Sequence, residues 1–321
     1  MIRCFVHADG ATREAERVDP AWLAPDSGVF VWAEIQAPDE ADARVMHEVF
    51  GFHALAIEDA MEATHHPKVE GYQGYLYLVL HGINFSPDEH VFDTHDTDFF
   101  LGPNYLVTVH DGQRRSIRHV SELCARSPRI MEEGPVALLH RIVDTMADHY
   151  RPEVDELEDR INALEDLVIE APGGSLMADI LAIKRDVSGL RRIVIPQRDV
   201  VARLARREFD QISQEMAYRF RDVYDQFVRM SDDAMMYQDR ITGILDAHLA
   251  TVSNQLAQVS KLLAVVAVLF GPLTVITGIY GMNVVLPVLP GGEPMQFWWV
   301  MGFMALSSGG LFGLFRRMRW L

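Results

Sequence analysis

The chain has 321 residues, a net charge of −17 and two cysteines, Cys4 and Cys124. So acidic a chain does not read as a nucleic-acid binder, because phosphate neutralisation needs clustered Lys and Arg. Two distant cysteines exclude a disulfide framework and a cysteine-based zinc site, and they suit a reducing compartment.

Residues 1–130 alternate between strand and helix signals. No apolar run opens at Met1–Val6, so no cleaved signal peptide is expected. Strand-like runs predict strands at Ile2–Val6, Val29–Ile35, Tyr75–Phe85, Val91–Leu101 and Tyr105–His110. Helices are predicted at Asp39–Phe50, Ala54–Ala63 and Ser116–Arg126, with Pro38, Gly51, Pro67, Gly71, Gly102-Pro103 and Gly112 as punctuation. This pattern reads as a small cytoplasmic α/β domain.

Residues 131–261 read as a cytoplasmic helical stalk. Pro135–Ile169 is amphipathic and acidic, and Ala171–Gly174 breaks it. Gly173-Gly174 is a turn rather than a phosphate cradle, since no Gly-Lys-Ser/Thr follows. Ser175 is expected to cap a second helix running to about Arg207, kinked at Pro196. A third helix begins near Tyr218. Its apolar residues are Phe220, Val223, Phe227, Met230, Ala234, Tyr237, Ile241, Ile244, His248, Val252, Leu256 and Val259. They step by threes and fours, the spacing of a coiled coil. No cap ends this helix at Lys261, so it is expected to run on to Gly281, 64 residues or about 96 Å. That length suits a stalk packed against its own copies around an axis. The expected fold is therefore an α+β membrane protein assembled as a symmetric oligomer.

Leu262–Tyr280 and Phe297–Phe315 are uncharged runs of 19 residues each. At about 1.5 Å per residue each spans about 28 Å, close to the hydrocarbon thickness of a bilayer. Trp298, Trp299 and Trp320 fall at their edges, where membrane aromatics gather. Either run alone could be a buried core helix; two adjacent runs favour a bilayer. Lys261 precedes the first span, Arg316, Arg317 and Arg319 follow the second, and the loop between has neither Lys nor Arg. By the positive-inside rule both termini are cytoplasmic and the loop is outside. These four cations and Glu293 sum to +3, which leaves −20 on residues 1–260. Such a surface suits a cation reservoir or a solvated, self-repelling exterior. The membrane part then comprises a first span with its terminal tripeptide (262–283), an outer loop (284–296), a second span (297–315) and a basic tail (316–321). Two helices cannot enclose a water path, so conduction needs several copies. The first span, with Thr274, Thr277, Gly271 and Gly278, is the expected lining helix, and Pro272 gives it a hinge.

Tyr280-Gly281-Met282-Asn283 closes the first span. Phe220-Arg221-Asp222-Val223-Tyr224-Asp225 opens the long helix, and Glu58-Asp59 is followed by Pro67-Lys68-Val69-Glu70. With the arginine-tryptophan end, these motifs resemble the CorA family of divalent-cation channels along nearly the whole chain. The resemblance implies a homopentamer in the inner cell membrane, with a cytoplasmic funnel, an axial pore and no ATP use. It implies passive passage of Mg²⁺, with Co²⁺ and Ni²⁺ as surrogates, driven by membrane potential and inhibited by cytoplasmic divalent cation. Transported and regulatory Mg²⁺ are the only ions implied; no cofactor and no enzyme activity are expected.

On that resemblance Gly281, Met282 and Asn283 form the selective mouth. Mg²⁺ gives up its water reluctantly. A ring of Asn283 amide oxygens with Gly281 carbonyls can accept hydrogen bonds from the hydrated ion and select without stripping it. Gly-Met-Asn also reads as a helix C-cap, since Gly and Asn end helices. Leu263 matches an apolar constriction of the family, and Gly271 stands where the family has a methionine. Thr274 and Gly278 match pore-facing positions. The family's inhibitory-cation carboxylates map to Asp59 and Asp246 on neighbouring subunits, with a secondary site at Glu58 and Asp222. Many members carry Met-Pro-Glu-Leu in the outer loop. Here Glu293 is the loop's only acid and the candidate for an acidic outer mouth. Pro290-Gly291-Gly292 is faintly similar to the glycine-rich loops of Zn²⁺-carrying relatives. A Zn²⁺ transporter of the same architecture, and a membrane-anchored cation sensor that conducts nothing, are the alternatives.

Other features are assigned no chemistry. His90, Asp93, His95, Asp96 and Asp98 read as a polar strand edge, and His65-His66 as a turn before Pro67. Met235-Met236 reads as stalk packing. No nucleophile elbow, carboxylate pair in a pocket or nucleotide loop is present in the sequence.

Overall fold

The computed structural model describes residues 2–62, 66–86, 91–112, 114–170, 176–282, 290, 292–318 and 320. The chain divides into one compact unit that ends at Leu245 and another that begins at Asp246. The expected break at Ala171–Gly174 and the Ser175 cap lie outside the described residues.

The first unit is built on seven strands: β1 (Ile2–Ala8), β2 (Ala11–Ala15), β3 (Phe30–Gln36), β4 (Lys68–Tyr72), β5 (Tyr75–Ser86), β6 (Val91–Leu101) and β7 (Tyr105–His110). They form one sheet in the order β2-β1-β3-β7-β6-β5-β4, antiparallel except between β3 and β7. Apolar residues alternate between its two faces. Tyr77, Val79, Phe100 and Val107 pack with Ala56 and Ile57 under α1 (Glu40–Glu48) and α2 (Ala54–Met61). Trp32, Leu78, Leu80, Phe99 and Leu106 join the larger core on the other face. Strand β7, covered on both sides, is buried at every position. A Cβ at Gly102 would lie 2.2 Å from the Tyr105 ring, so only glycine leads into that strand.

Helices α3 (Arg115–Arg126), α4 (Arg129–Glu132), α5 (Pro135–Glu170), α6 (Met177–Ala205) and α7 (Gln214–Tyr280) complete the larger core. Helix α6 is continuous through Pro196. Buried hydrogen bonds tie β5 to two of these helices. The Tyr150 hydroxyl donates to the His81 carbonyl at 2.7 Å, and the His81 amide donates to Gln197 Oε1 at 3.1 Å. Gln197 Nε2 donates to Tyr150 in turn. Helices α5 and α6 run antiparallel, with Tyr150 opposite Gln197 and Arg160 bonded to Asp186 at 2.9 Å. Helices α5 and α7 run parallel: Asp144 meets Gln226, Glu158 meets Tyr237 and Glu165 meets Arg240.

The apolar stripe of α7 is not the surface between copies that its coiled-coil spacing suggested. From Phe220 to Ile244 it is buried within the chain's own core, and His248 is 5% exposed. The spacing is real, but the partners are α5 and α6 of the same chain. Beyond it Leu256 is 64% and Val259 57% exposed. Met235 and Met236 also face out, rather than packing the stalk.

Strand β6 is interior, not a polar edge. Asp96 pairs with His81 at 3.1 Å and His95 with Asn84 at 2.9 Å. The Tyr77 hydroxyl donates to Asp98 at 2.5 Å. Burial pushes the Asp98 carboxyl up to about 7, against the Tyr77 hydrogen bond and with help from the charge of Asp96. The side chain of Asp93, and His65 and His90 altogether, lie outside the description.

The second unit holds the rest of α7 and α8 (Glu293–Arg317). The Lys261 ammonium lies 5.6 Å from the Trp320 ring centroid, so α8 returns antiparallel beside the final part of α7. In the most apolar stretch of α7 only 6% is buried, and in that of α8 none. Surface of that kind needs lipid or other copies to cover it.

Two outcomes follow for stability. A folded-state Asp98 pKa above its unfolded value gives stability that is full below the unfolded range and lost as pH rises through about 7. Thermal unfolding of the detergent-solubilised chain should therefore shift down from about pH 4 to about pH 7 and level off above it, and Asp98→Asn should flatten that dependence. Phe227, 1% exposed in the α5–α7 core, should cost about 3–5 kcal/mol on truncation to Ala, read from denaturant midpoints.

Candidate ion path and cation-sensing residues

The covered side of α7 in the second unit can be read residue by residue. Val265 is 2% exposed, and Lys261, Leu269, Pro272, Leu273 and Ile276 are half-buried beside it. At about 100° per residue these positions fall on one side of the helix. Leu263, Thr274 and Gly278 lie about 160°, 180° and 140° round from Val265, and Gly271 about 120°. All four are exposed. The expected lining positions thus share the face turned away from α8. The Thr274 hydroxyl donates to the Phe270 carbonyl at 3.0 Å, which leaves its oxygen lone pairs open on that face.

Helix α7 ends at Tyr280, and the Gly281 amide donates to the Thr277 carbonyl at 2.9 Å. Gly281 is absent from the positive-φ glycines, so it is not a left-handed cap of the common kind. What requires glycine is space: a Cβ would stand 2.9 Å from the Thr277 carbonyl oxygen. Met282 is 57% exposed. Asn283 and most of the outer loop lie outside the described residues. Glu293 opens α8, and its side chain is not described.

Asp59 sits on α2, ion-paired to the Lys68 ammonium on β4. Glu70 approaches the same ammonium at 3.6 Å, and the Tyr77 ring centroid lies 5.2 Å from it. Partial burial opposes the charge, yet the bond to Asp59 and the Glu70 charge hold the lysine above its ordinary range. The sequence singled out Pro67–Glu70 as a motif without signalling this pairing. Glu58 is exposed on α2, Asp222 and Asp246 on α7. Asp222 stands near Asp148 on α5, whose carboxyl is raised by burial, then by the charges of Asp144 and Asp222. Helix α2 packs on one face of the sheet and the Asp222 region of α7 on the other, so Glu58 and Asp222 of one chain are not brought together. Among the described residues, no three His, Cys, Asp or Glu of one chain gather into a metal-holding group.

Residues 27–317 match the family model for a CorA-like Mg²⁺ transporter protein. The cobalt/magnesium transport protein CorA of Thermotoga maritima is 30% identical over 281 residues, covering 84% of this chain and 78% of that one. The zinc transport protein ZntB of Cronobacter sakazakii is 30% identical over 186 residues, covering 56% of this chain and 54% of its own length. The complete CorA magnesium transporter structure from Methanocaldococcus jannaschii matches at a TM-score of 0.84 and 22% identity, over 100% of this chain and 99% of that one. At that identity the likeness speaks for the fold: an N-terminal α/β domain, a long helix and two helices fit to cross a membrane. From a family model spanning most of the sequence and a relative this similar along its length, the chain belongs to the CorA-like Mg²⁺ transporter family, membrane proteins of metal-ion transport.

Proposed function

We propose that this protein is a passive divalent-cation channel, Mg²⁺ first, formed by a ring of copies with α7 innermost. The observation that carries the reading is the α7 face opposite α8, where Leu263, Thr274, Gly278 and Gly281 line up. A second observation supports the ring. Leu249, Leu256, Val259, Leu263 and Phe270 are 48%, 64%, 57%, 64% and 62% exposed. With half-buried Val252 and with Val266 they step by fours and threes, a heptad stripe left mostly exposed among the described residues. A pentamer is the subunit number we adopt, with both termini cytoplasmic in the inner cell membrane.

In this reading the hydrated ion meets Asn283 amides at the outer mouth, with Glu293 the one acid of the loop, and then the polar Thr274 level. Leu263 is the apolar constriction. Gly271, with no side chain where a methionine constriction is expected, leaves the upper path wide. A dication crossing 100 mV gains about 4.6 kcal/mol, so inward flux needs no motor. Closure follows from cytoplasmic cation bridging Asp59 of one copy and Asp246 of the next, with Glu58 and Asp222 as a secondary pair. Hard carboxylate oxygens suit Mg²⁺, and the ion removes a repulsion that otherwise holds copies apart. Lys68 is the built-in competitor, because it already neutralises Asp59.

Proteoliposome flux with Mg²⁺ and Zn²⁺, with and without a potential or a pH gradient, tests the reading. Potential-driven Mg²⁺ entry supports it. Zn²⁺ entry coupled to protons moves the protein toward the zinc relative's named cargo, and no flux of any dication leaves a non-conducting sensor. Asn283→Ala should cut Mg²⁺ flux about tenfold, a barrier change of about 1.4 kcal/mol. Asp246→Asn should raise the cation level that half-closes the channel, and Lys68→Gln should lower it. Each shift should be about two- to fivefold, the size of a partly exposed ion pair, read from the inhibition curve.

A further inference from the structure

The acidic unit has one basic strip that its own chain leaves unanswered. Lys184, Arg185, Arg191 and Arg192 fall within nine residues of α6. Arg191 bonds Gln238 at 2.8 Å. Lys184, Arg185 and Arg192 have no ion-pair partner among the described residues. These three line an open groove of about 830 Å³ with Leu181, which is 44% exposed. On α5 the converse holds. Glu156, Asp159 and Asp166 are exposed and unpaired among the described residues, and Leu167 beside them is 47% exposed.

We propose that the acidic stripe of α5 in one copy docks on the basic stripe of α6 in the next, repeated head to tail round the ring. The inference rests on the oligomeric channel reading and adds the surface that holds its cytoplasmic units together. An acidic surface meeting a basic one is a contact between unlike patches, the kind that closes rings rather than two-fold pairs.

Register decides whether the stripes can meet. Rotation about an axis along the helices keeps every residue at its own height, so partners must be level within one chain. The Arg160–Asp186 and Tyr150–Gln197 contacts fix the levels of α5 against α6. At about 1.5 Å per residue, Asp159 and Arg185 differ in height by about 3 Å, as do Glu156 and Arg192, and Leu167 and Leu181. Asp166 and Lys184 differ by about 6 Å, within reach of a lysine side chain. Acid therefore faces base, and leucine faces leucine, along the whole strip. The groove volume on α6 is room for the opposing side chains.

The test is intermolecular cross-linking in the full-length protein. A copy bearing Asp159→Cys and one tag is co-expressed with a copy bearing Arg185→Cys and another. The native Cys4 and Cys124 are buried and stay in place. Mild oxidation should yield a disulfide-linked pair carrying both tags, well above a control in which both copies carry Arg185→Cys. A charge test runs beside it: Arg185→Glu should shift the oligomer toward smaller species by native mass spectrometry, and adding Asp159→Arg to the same chain should restore it. If the protein stays oligomeric and conducts, yet neither linkage nor rescue is seen, the docking is wrong and the channel reading stands. If the wild-type chain is monomeric and conducts nothing, both fall.

Discussion

A single helix must satisfy two solvents at once. From Gln214 to Tyr280 the α7 backbone closes its own hydrogen bonds, 67 residues or about 100 Å without a break in the ladder beyond Pro272. Inside a bilayer no other arrangement of an isolated segment is affordable, because unpaired amides there have no water to turn to. In the first unit the same continuity lets one face of the helix serve as a wall of the core. Side chains divide the work: Phe220 to Ile244 bind the helix to α5 and α6, and Leu249 to Phe270 present a second apolar stripe outward. The change from one stripe to the other falls close to where the chain divides into its two units.

Electrostatics supplies the complementary constraint. A surface of −20 resists assembly unless cations intervene. Part of the answer is internal: Lys68 on Asp59, Arg240 on Glu165 and Arg160 on Asp186. The remainder is open to external ions, and the cation-driven closure we propose draws on that. Carboxylates left to repel one another favour separation of copies, and dications reverse that preference.

Much of this fold was legible because its signals are local. Strands β6 and β7 begin and end where their strand-like runs do, and the spans announce themselves by lack of charge. Strands β2 (Ala-Thr-Arg-Glu-Ala) and β4 (Lys-Val-Glu-Gly-Tyr) carry no strand signal, because edge strands face water and need little apolar character. The α7 stripe was legible as periodicity but not as partnership: spacing names a face and leaves open what covers it. Two heptad patterns in succession also merge in a linear reading, so Val252 through Val259 looked like an extension of the core stripe. The Lys68–Asp59 pair and the raised Asp98 carboxyl depend on neighbours brought close by folding. Of the positions proposed to line the path, Leu263 came from family resemblance and Gly271, Thr274 and Gly278 also from the small and polar residues of the span; the structure adds that the four share one side of the helix.

Synthesis order gives the α7 core stripe a further consequence. The larger core cannot close until Ile244 has been made, since α7 supplies one of its walls. Only 17 residues lie between Ile244 and Leu262, where the first membrane segment begins. The membrane segment therefore leaves the ribosome directly behind the wall that the larger core has still to close around. Closure of the first unit and entry of the first span into lipid therefore follow one another closely in time.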